Sequence, residues 1–517
     1  VTFPWLTTLI ALPALGAVLT ALVPSGRGVL AKQVALTGAL ATLAVGAVIS
    51  LQYLFDLDVG VEAERYEWIP QFGASWALDV NGISLALIGL TVVATPIVAL
   101  AMWREAEPDK RDPKTFFALL LAVEALTLTA FASRDLLLFY LVFEAMLIPL
   151  YFMIGMYGGP QRRYAAVKFL LYNLAGGLIM LAAVIGVYVL SVDAGSGTFF
   201  VPDLVALDIA EDTQRWLFLG FMIAFAIKAP LWPFHTWLPD AAAEATPANA
   251  AFLSGVVDKV GTFGMIALAL PLFPDAARDF APVIVTLAVV SIVYGALLAI
   301  GQTDMKRLIG YTSISHFGFI VLGIFALTGE SASGATLYMV NHGLSTIALF
   351  VVVGFMIARR GSRLVGDYGG VQKPAPKLAG VFLFAALSGL ALPPLSTFLS
   401  EFLVISGTFL QYREAAIVAT LGIVLAALYM LWLYQRTMTG PVQAGNEDTP
   451  DLRRREVAVV TPLIALILVI GFFPKPLVDV IDEAVEPTLT EVDVDQPGPL
   501  APVADETAEH SNEGTEQ

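Results

Sequence analysis

Residues 217–264 read LFLGFMIAFAIKAPLWPFHTWLPDAAAEATPANAAFLSGVVDKVGTFG, and this stretch decides the fold. It holds two apolar helical runs, and each carries a lysine where hydrocarbon is expected: Lys228 in the first, Lys259 in the second. A lysine at mid-bilayer costs roughly 2.5–3.5 kcal/mol even on lenient insertion scales, which a purely structural helix has no reason to bear twice. Pro230 and Pro233 follow Lys228 closely. Each removes a backbone donor and crowds the preceding turn, so the helix is expected to break near Lys228. Taken alone, the prolines also suit a plain helix end, and Lys228 alone suits a side chain reaching for the interface. Together they describe a buried cation beside broken backbone, which membranes tolerate only inside protein or beside water. That combination points to an ion or proton path.

The rest of the composition agrees with a membrane chain. Of 517 residues, 57% are hydrophobic and 14% charged, against about 25% charged in soluble domains. The absence of cysteine excludes thiolate-bound iron–sulfur clusters and disulfides on this chain. No glycine-rich nucleotide loop and no His/carboxylate cluster at metal spacing is evident, so no cofactor or metal is expected here. A cleavable signal is not expected, because the first apolar run, 3–23, is followed directly by further spans. The net charge of −16 gathers at the C-terminal end, where twelve acidic residues and no Lys or Arg lie from Asp479 onward.

Apolar runs near 20 residues long predict an all-α polytopic membrane protein of about fourteen spans: 3–23, 29–55, 83–103, 115–132, 135–157, 164–190, 215–235, 249–272, 280–301, 306–328, 333–358, 376–410, 414–438 and 456–473. Basic residues collect in alternate loops. Arg27 and Lys32, Arg104, Lys110, Arg111 and Lys114, Arg162 and Arg163, Lys306 and Arg307, Arg359, Arg360, Arg363, Lys373 and Lys377, and Arg436 with Arg453–Arg455 make nineteen. The opposite loops hold six: Arg65, Arg134, Arg215, Arg278, Arg413 and Lys475. The bias places the first set in the cytoplasm and both termini outside. Loops 56–80 and 192–214 are then outside, with a short hairpin expected around Trp68–Trp76. Pro474–Gln517, rich in Pro, Thr and Glu, is expected to be disordered.

Spans 4–8 and 9–13 form an approximate repeat, each with a broken fourth helix; the second break is GLALPPLSTFLSEF, with Pro393 and Pro394 ahead of Glu401. Five helices is an odd number, so the two repeats are inverted. The expected units are 1–114 (three helices and an acidic loop), 115–272 (first repeat), 273–440 (second repeat), 441–473 (cytoplasmic loop and last span) and 474–517 (acidic tail).

The buried polar residues give the candidate site. Glu144, in LLFYLVFEAMLIPLYF, has no partner in its own span, and Lys228 is the obvious cation for it. Lys259 is the candidate central relay. Asp258 points about 100° away from it around the helix, and either tunes it through space or faces a cytoplasmic water pocket. His316 and His342, on successive spans, suit a relay because histidine titrates near neutral pH; singly, each suits hydrogen-bonded packing as well. Glu401 would close the line. Glu124 and His235 are secondary candidates: Glu124 faces Glu144 or packs at an interface, and His235 lines an inlet or caps the broken helix.

These residues carry a resemblance. The pattern Lys228, then PLWPFHTWLPD, then Lys259 in KVGTFG resembles the antiporter-like membrane subunits of respiratory complex I, the M type above all; FEAMLIPLYF is similar to that family's fifth helix and LIGYTSISHFGFIVLG to its tenth. Glu401 in Ser-Glu-Phe suits the M type, because the L and N types place lysine there, and no long lateral helix follows the last span. Two residues depart: Ala242 stands where the family usually has His, and Asp258 where it usually has Leu. The likeness covers roughly residues 80–475. It implies a proton-translocating subunit of a bacterial NADH:quinone oxidoreductase in the cell membrane, beside L-type and N-type neighbours. FMN, iron–sulfur clusters and quinone would lie on partner subunits. A subunit of a multisubunit Na⁺/H⁺ antiporter is the nearest alternative, and a non-transporting scaffold of a hydrogenase-like assembly the next.

Overall fold

The computed structural model describes residues 3–55, 57, 60–103 and 112–492. Arg104, Lys110, Arg111 and the chain beyond Val492 lie outside the described residues. Helices α1 (Trp5–Leu22) and α2 (Gly28–Phe55) precede an antiparallel hairpin, β1 (Glu64–Ile69) with β2 (Ala74–Leu78), in which Tyr66 faces Trp76. The expected hairpin is therefore present. It is tied to the helices by Asp135, whose carboxylate accepts from Ser75 N (2.7 Å) while also capping Leu137 N and Leu138 N.

Then come α3 (Gly82–Ala101), α4 (Pro113–Ala132), α5 (Leu136–Ala145), α6 (Leu147–Tyr157), α7 (Arg162–Asp193), α8 (Val201–Val205) and α9 (Glu211–Lys228). After the break lie α10 (Trp237–Glu244), α11 (Pro247–Phe252), a π turn at Leu253–Val257, α12 (Lys259–Gly264), a second π turn at Met265–Ala269 and α13 (Leu270–Leu272). The remainder is α14 (Pro274–Ile300), α15 (Met305–Phe325), α16 (Gly329–Arg360), α17 (Pro376–Gly389), α18 (Ser396–Gln411), α19 (Arg413–Met438), α20 (Arg454–Phe472) and α21 (Lys475–Glu491).

Among the described residues, twelve helical stretches are long and apolar enough to cross a bilayer. The two other expected spans, 215–235 and 376–410, are both interrupted: α9 stops at Lys228, and α17 and α18 are separated by Leu390–Leu395. Three stretches form the core: Pro247–Leu272, α15 and α16 each have 94% of their apolar window buried, against 28% in α2 and α20. Every lysine or histidine of the candidate line except Lys228 sits on one of these three.

Two features depart from expectation. The span 135–157 is broken at Met146, because Pro149 has no amide for an α-helical bond and its ring crowds the carbonyl of Ala145. The predicted disorder from 474 onward does not hold for its first part, since Lys475–Glu491 is helical. Ile481, Val485 and Leu489 recur every fourth residue and are buried, while Asp482, Glu483 and Glu486 point outward. The charge that suggested disorder occupies only the outer face. This helix seats so closely on α3 that a Cβ at Gly82 would lie 1.7 Å from the Val480 carbonyl oxygen.

Candidate functional site

The first break is satisfied from within. Leu231 N donates to Ala226 O (2.9 Å), and the Trp237 indole N–H donates to Ile227 O (2.9 Å), so the last carbonyls of α9 keep partners after the helix ends. The end of α9 therefore stays rigid while carrying Lys228, whose side chain is fully buried. Its ammonium stands 5.0 Å from the centre of the Phe143 ring and has no hydrogen-bond partner among the described residues.

Glu144, next to Phe143 in the last turn of α5, is half-buried with Oε1 unpartnered. Its carboxylate rests on Gly177 of α7, where a Cβ would fall 1.6 Å from Oε1. The pairing expected between Glu144 and Lys228 is not a direct ion pair: no salt bridge joins them among the described residues, and Phe143 presents its ring to the lysine instead. Asp258 is also fully buried, with neither oxygen hydrogen-bonded. It does not sit at a solvated surface. Gly261, three residues on and so on the same helix face, packs against α9, where its Cβ would be 2.7 Å from Ala229 N. Asp258 thus faces the end of α9 that bears Lys228.

Lys259 is wired differently. Its ammonium donates to Ser254 O (2.5 Å), contacts His342 Nδ1 (2.7 Å) and lies 4.9 Å from the Phe317 ring centre. The π turn provides that carbonyl. In an α-helix Asp258 N would bond Ser254 O; here it bonds Leu253 O (3.0 Å). His342 stands perpendicular to His316, ring centres 5.1 Å apart, and His316 lies 5.9 Å from the Tyr338 ring. The Tyr338 hydroxyl donates to Glu401 Oε1. Lys259, His342, His316, Tyr338 and Glu401 therefore form one buried file across α12, α16, α15 and α18. Asn341 pins α16 to α18 by donating to Ser396 O (2.8 Å) and Ser400 Oγ (2.7 Å).

The secondary candidates separate. Glu124, on α4, is fully buried with both oxygens unpartnered. His235 is buried against Tyr294, ring centres 5.1 Å apart, on the turn that follows the break.

Against known proteins, residues 133–427 match the model of the family described as NADH:quinone oxidoreductase/Mrp antiporter, TM. NADH-quinone oxidoreductase subunit M of Mycobacterium tuberculosis is 51% identical, with 96% of each chain covered. The subunit M of Rhodobacter capsulatus is 36% identical over 92% of this chain and 94% of its own. This chain belongs to the subunit M family of NADH-quinone oxidoreductase. A chain of respiratory complex I from Thermus thermophilus superposes with TM-score 0.87 at 32% identity, covering 95% of this chain and all of that one. A chain of the Mrp complex from Dietzia sp. shares the fold (TM-score 0.80, 23% identity, 94% and 98% covered).

Within this family the two departures now have surroundings. Ala242 is fully buried where α10 packs on α15; a Cβ at Gly310 would lie 3.3 Å from its own Cβ, which leaves no space for an imidazole. Sequence reasoning missed four things here. Tyr338 carried a signal, lying one turn before His342 on the same face. Gly177 carried none beyond being a glycine in a helix. The π turns leave no mark in composition. The fourth is an ion-pair clamp at the basic face, where Asp240 binds Lys168 (2.8 Å) and Arg307 (2.7 Å), and Arg363 joins Glu244 (2.9 Å) to Asp304 (2.7 Å). The clamp fixes α10 to α7, α15 and the loop after α16.

Proposed function

We propose that this chain moves protons across the bacterial cell membrane as a member of NADH:quinone oxidoreductase, through Glu144, Lys228, Lys259, His316, His342 and Glu401, with Tyr338 as a further contact. The observation that carries the reading is the buried file from Lys259 to Glu401, with a second lysine held at similar depth without a hydrogen bond. Charge held at that depth is costly and marks ion or proton pathways. Displacing a charge between Glu144 and Lys228 alters the field at Asp258 and Lys259, which alters proton affinity at His342 and along the file. The energy comes from redox chemistry on other subunits that bear flavin, iron–sulfur clusters and quinone.

In this reading the basic face is cytoplasmic, both termini are outside, and L-type and N-type subunits are the membrane neighbours. Residues 115–272 and 273–440 act as the two inverted repeats. The matching order of a straight pair, a long helix and a broken helix supports that division. Pulling down the tagged chain tests the assembly: redox subunits should co-purify. Lys259→Met tests the path. The complex should assemble and oxidise NADH while proton uptake by vesicles falls by most of its value; unchanged uptake would sink the reading.

A further inference from the structure

The file from Lys259 to Glu401 leaves unused a line of polar groups on the very helix that carries Lys259. Asn249, Ser254 and Asp258 are all fully buried. Neither side-chain atom of the Asn249 amide, nor the Ser254 hydroxyl, nor either Asp258 oxygen has a hydrogen-bond partner among the described residues. Buried polar groups are almost always partnered, and where protein does not supply the partner, ordered water does. Three such side chains on successive turns of one helix are therefore a place for water. Ser254, Asp258 and Gly261 fall four and three residues apart, on one face, and Gly261 fixes that face toward α9.

The line has a mouth and an end. At its start, Thr246 caps α11 by accepting from Asn249 N (3.3 Å). Thr246 and Pro247 also line a cavity of about 530 Å³ at the basic face, beside Arg359, Arg453 and Arg455. Of these, Arg359 is matched by Glu456, which it binds at 3.1 and 2.6 Å. At the other end Asp258 precedes Lys259 and faces the tip of α9 bearing Lys228, the two cations nearest it, with Glu144 beyond Lys228.

We propose that Thr246, Asn249, Ser254 and Asp258 line a hydrated inlet along which protons pass from the basic-face cavity to Lys259. This rests on the proton-moving reading above and adds the route by which the file is loaded. In the last step the Asp258 carboxyl gives its O–H proton to the Lys259 amine. The lysine becomes an ammonium, and the carboxylate left behind takes the next proton from the inlet. Asp258, where relatives usually carry leucine, is the member that is this chain's own.

The chain contains no cysteine, so an introduced thiol is unique within it. Thr246→Cys, Asn249→Cys and Ser254→Cys would be exposed, in the assembled complex in vesicles, to a small charged thiol reagent from the basic face. Ala250→Cys and Ala251→Cys, equally buried and off the line, are the controls. The three inlet thiols should react faster than the controls by about tenfold or more, since a thiol in apolar surroundings ionises poorly. Modification at Ser254→Cys should also stop NADH-driven proton uptake. Asp258→Asn should lower uptake several-fold at normal assembly, and Asp258→Glu should restore it. Equal reactivity of inlet and control thiols overturns the inlet, as does fast labelling that leaves proton uptake intact. Ser254→Cys is nearly isosteric, so it and Thr246→Cys carry the test should Asn249→Cys fail to assemble. Labelling reports water and not pumping, so the failure of the inlet and the failure of Lys259→Met are separate results.

Discussion

The two ends of the polar line are built on opposite plans. On the Glu144 side, Lys228, Asp258 and one Glu144 oxygen are held in the protein with no hydrogen bond. From Lys259 onward, the groups touch: Lys259 with His342, His342 with His316, Tyr338 with Glu401. Unpartnered charges in a medium of low polarity respond strongly to one another and to any displaced charge. Groups already in contact respond less and transfer protons over short distances. The loose end is thus suited to sensing a signal, and the wired end to carrying it.

The sharpest way to break this contrast is Lys228→Met. The ammonium makes no hydrogen bond, and its one visible attraction, to the Phe143 face, is worth about 0.5–2 kcal/mol. Assembly should therefore survive. Proton uptake per NADH oxidised should fall by most of its value, and Glu144→Gln should behave alike. Wild-type uptake in an assembled Lys228→Met complex would mean the loose end senses nothing.

Gly177→Ala comes next. Its new Cβ would occupy the place of Glu144 Oε1, 1.6 Å away, so the carboxylate must swing off α7. The expected outcome is a loss of uptake approaching that of Glu144→Gln, although no charge has been changed. If uptake is untouched, the position of Glu144 does not matter to the coupling.

Tyr338→Phe probes the wired end and should do less. It removes only the hydroxyl that holds Glu401 Oε1, a contribution of about 1.5–3 kcal/mol when the acceptor is charged. Uptake should fall partially, with a changed pH profile, while Glu401→Gln falls further. Equal loss in both variants would show that Glu401 works only when held by Tyr338.

How much of this was legible in the sequence follows from which forces write themselves locally. Lysines and prolines inside apolar runs are visible because hydrocarbon rejects the former and helices the latter, so Lys228, Lys259 and the break after Lys228 stood out. His316, His342 and Glu401 were found the same way, and their mutual contact was the guess that structure turned into distances. What stayed hidden depends on the shape of the backbone or on a neighbouring helix. The π turn that offers Ser254 O to Lys259 has ordinary residues. Gly177 gains meaning only from the Glu144 carboxylate on the next helix. The helix at Lys475–Glu491 was obscured because composition averages over faces, and its buried stripe of Ile481, Val485 and Leu489 is a matter of spacing.

The smallest effect should come from the joint itself. Trp237 is fully buried, and its indole N–H donates to Ile227 O at 2.9 Å, across the gap between α10 and the end of α9. Trp237→Phe keeps an aromatic ring against Phe169, now 5.3 Å away, but leaves a buried carbonyl beside Lys228 without its donor. An unsatisfied buried acceptor costs about 1–3 kcal/mol, and the smaller ring adds a void. The last turn of α9 should loosen, so the unfolding temperature of the purified complex should drop by a few degrees on the scale of about 2–4 °C per kcal/mol for large domains, with uptake only modestly reduced. A drop in uptake as deep as that of Lys228→Met, at unchanged thermal stability, would show instead that the Trp237 bond sets the lysine's position, and the loose end would have to be redrawn as a held one.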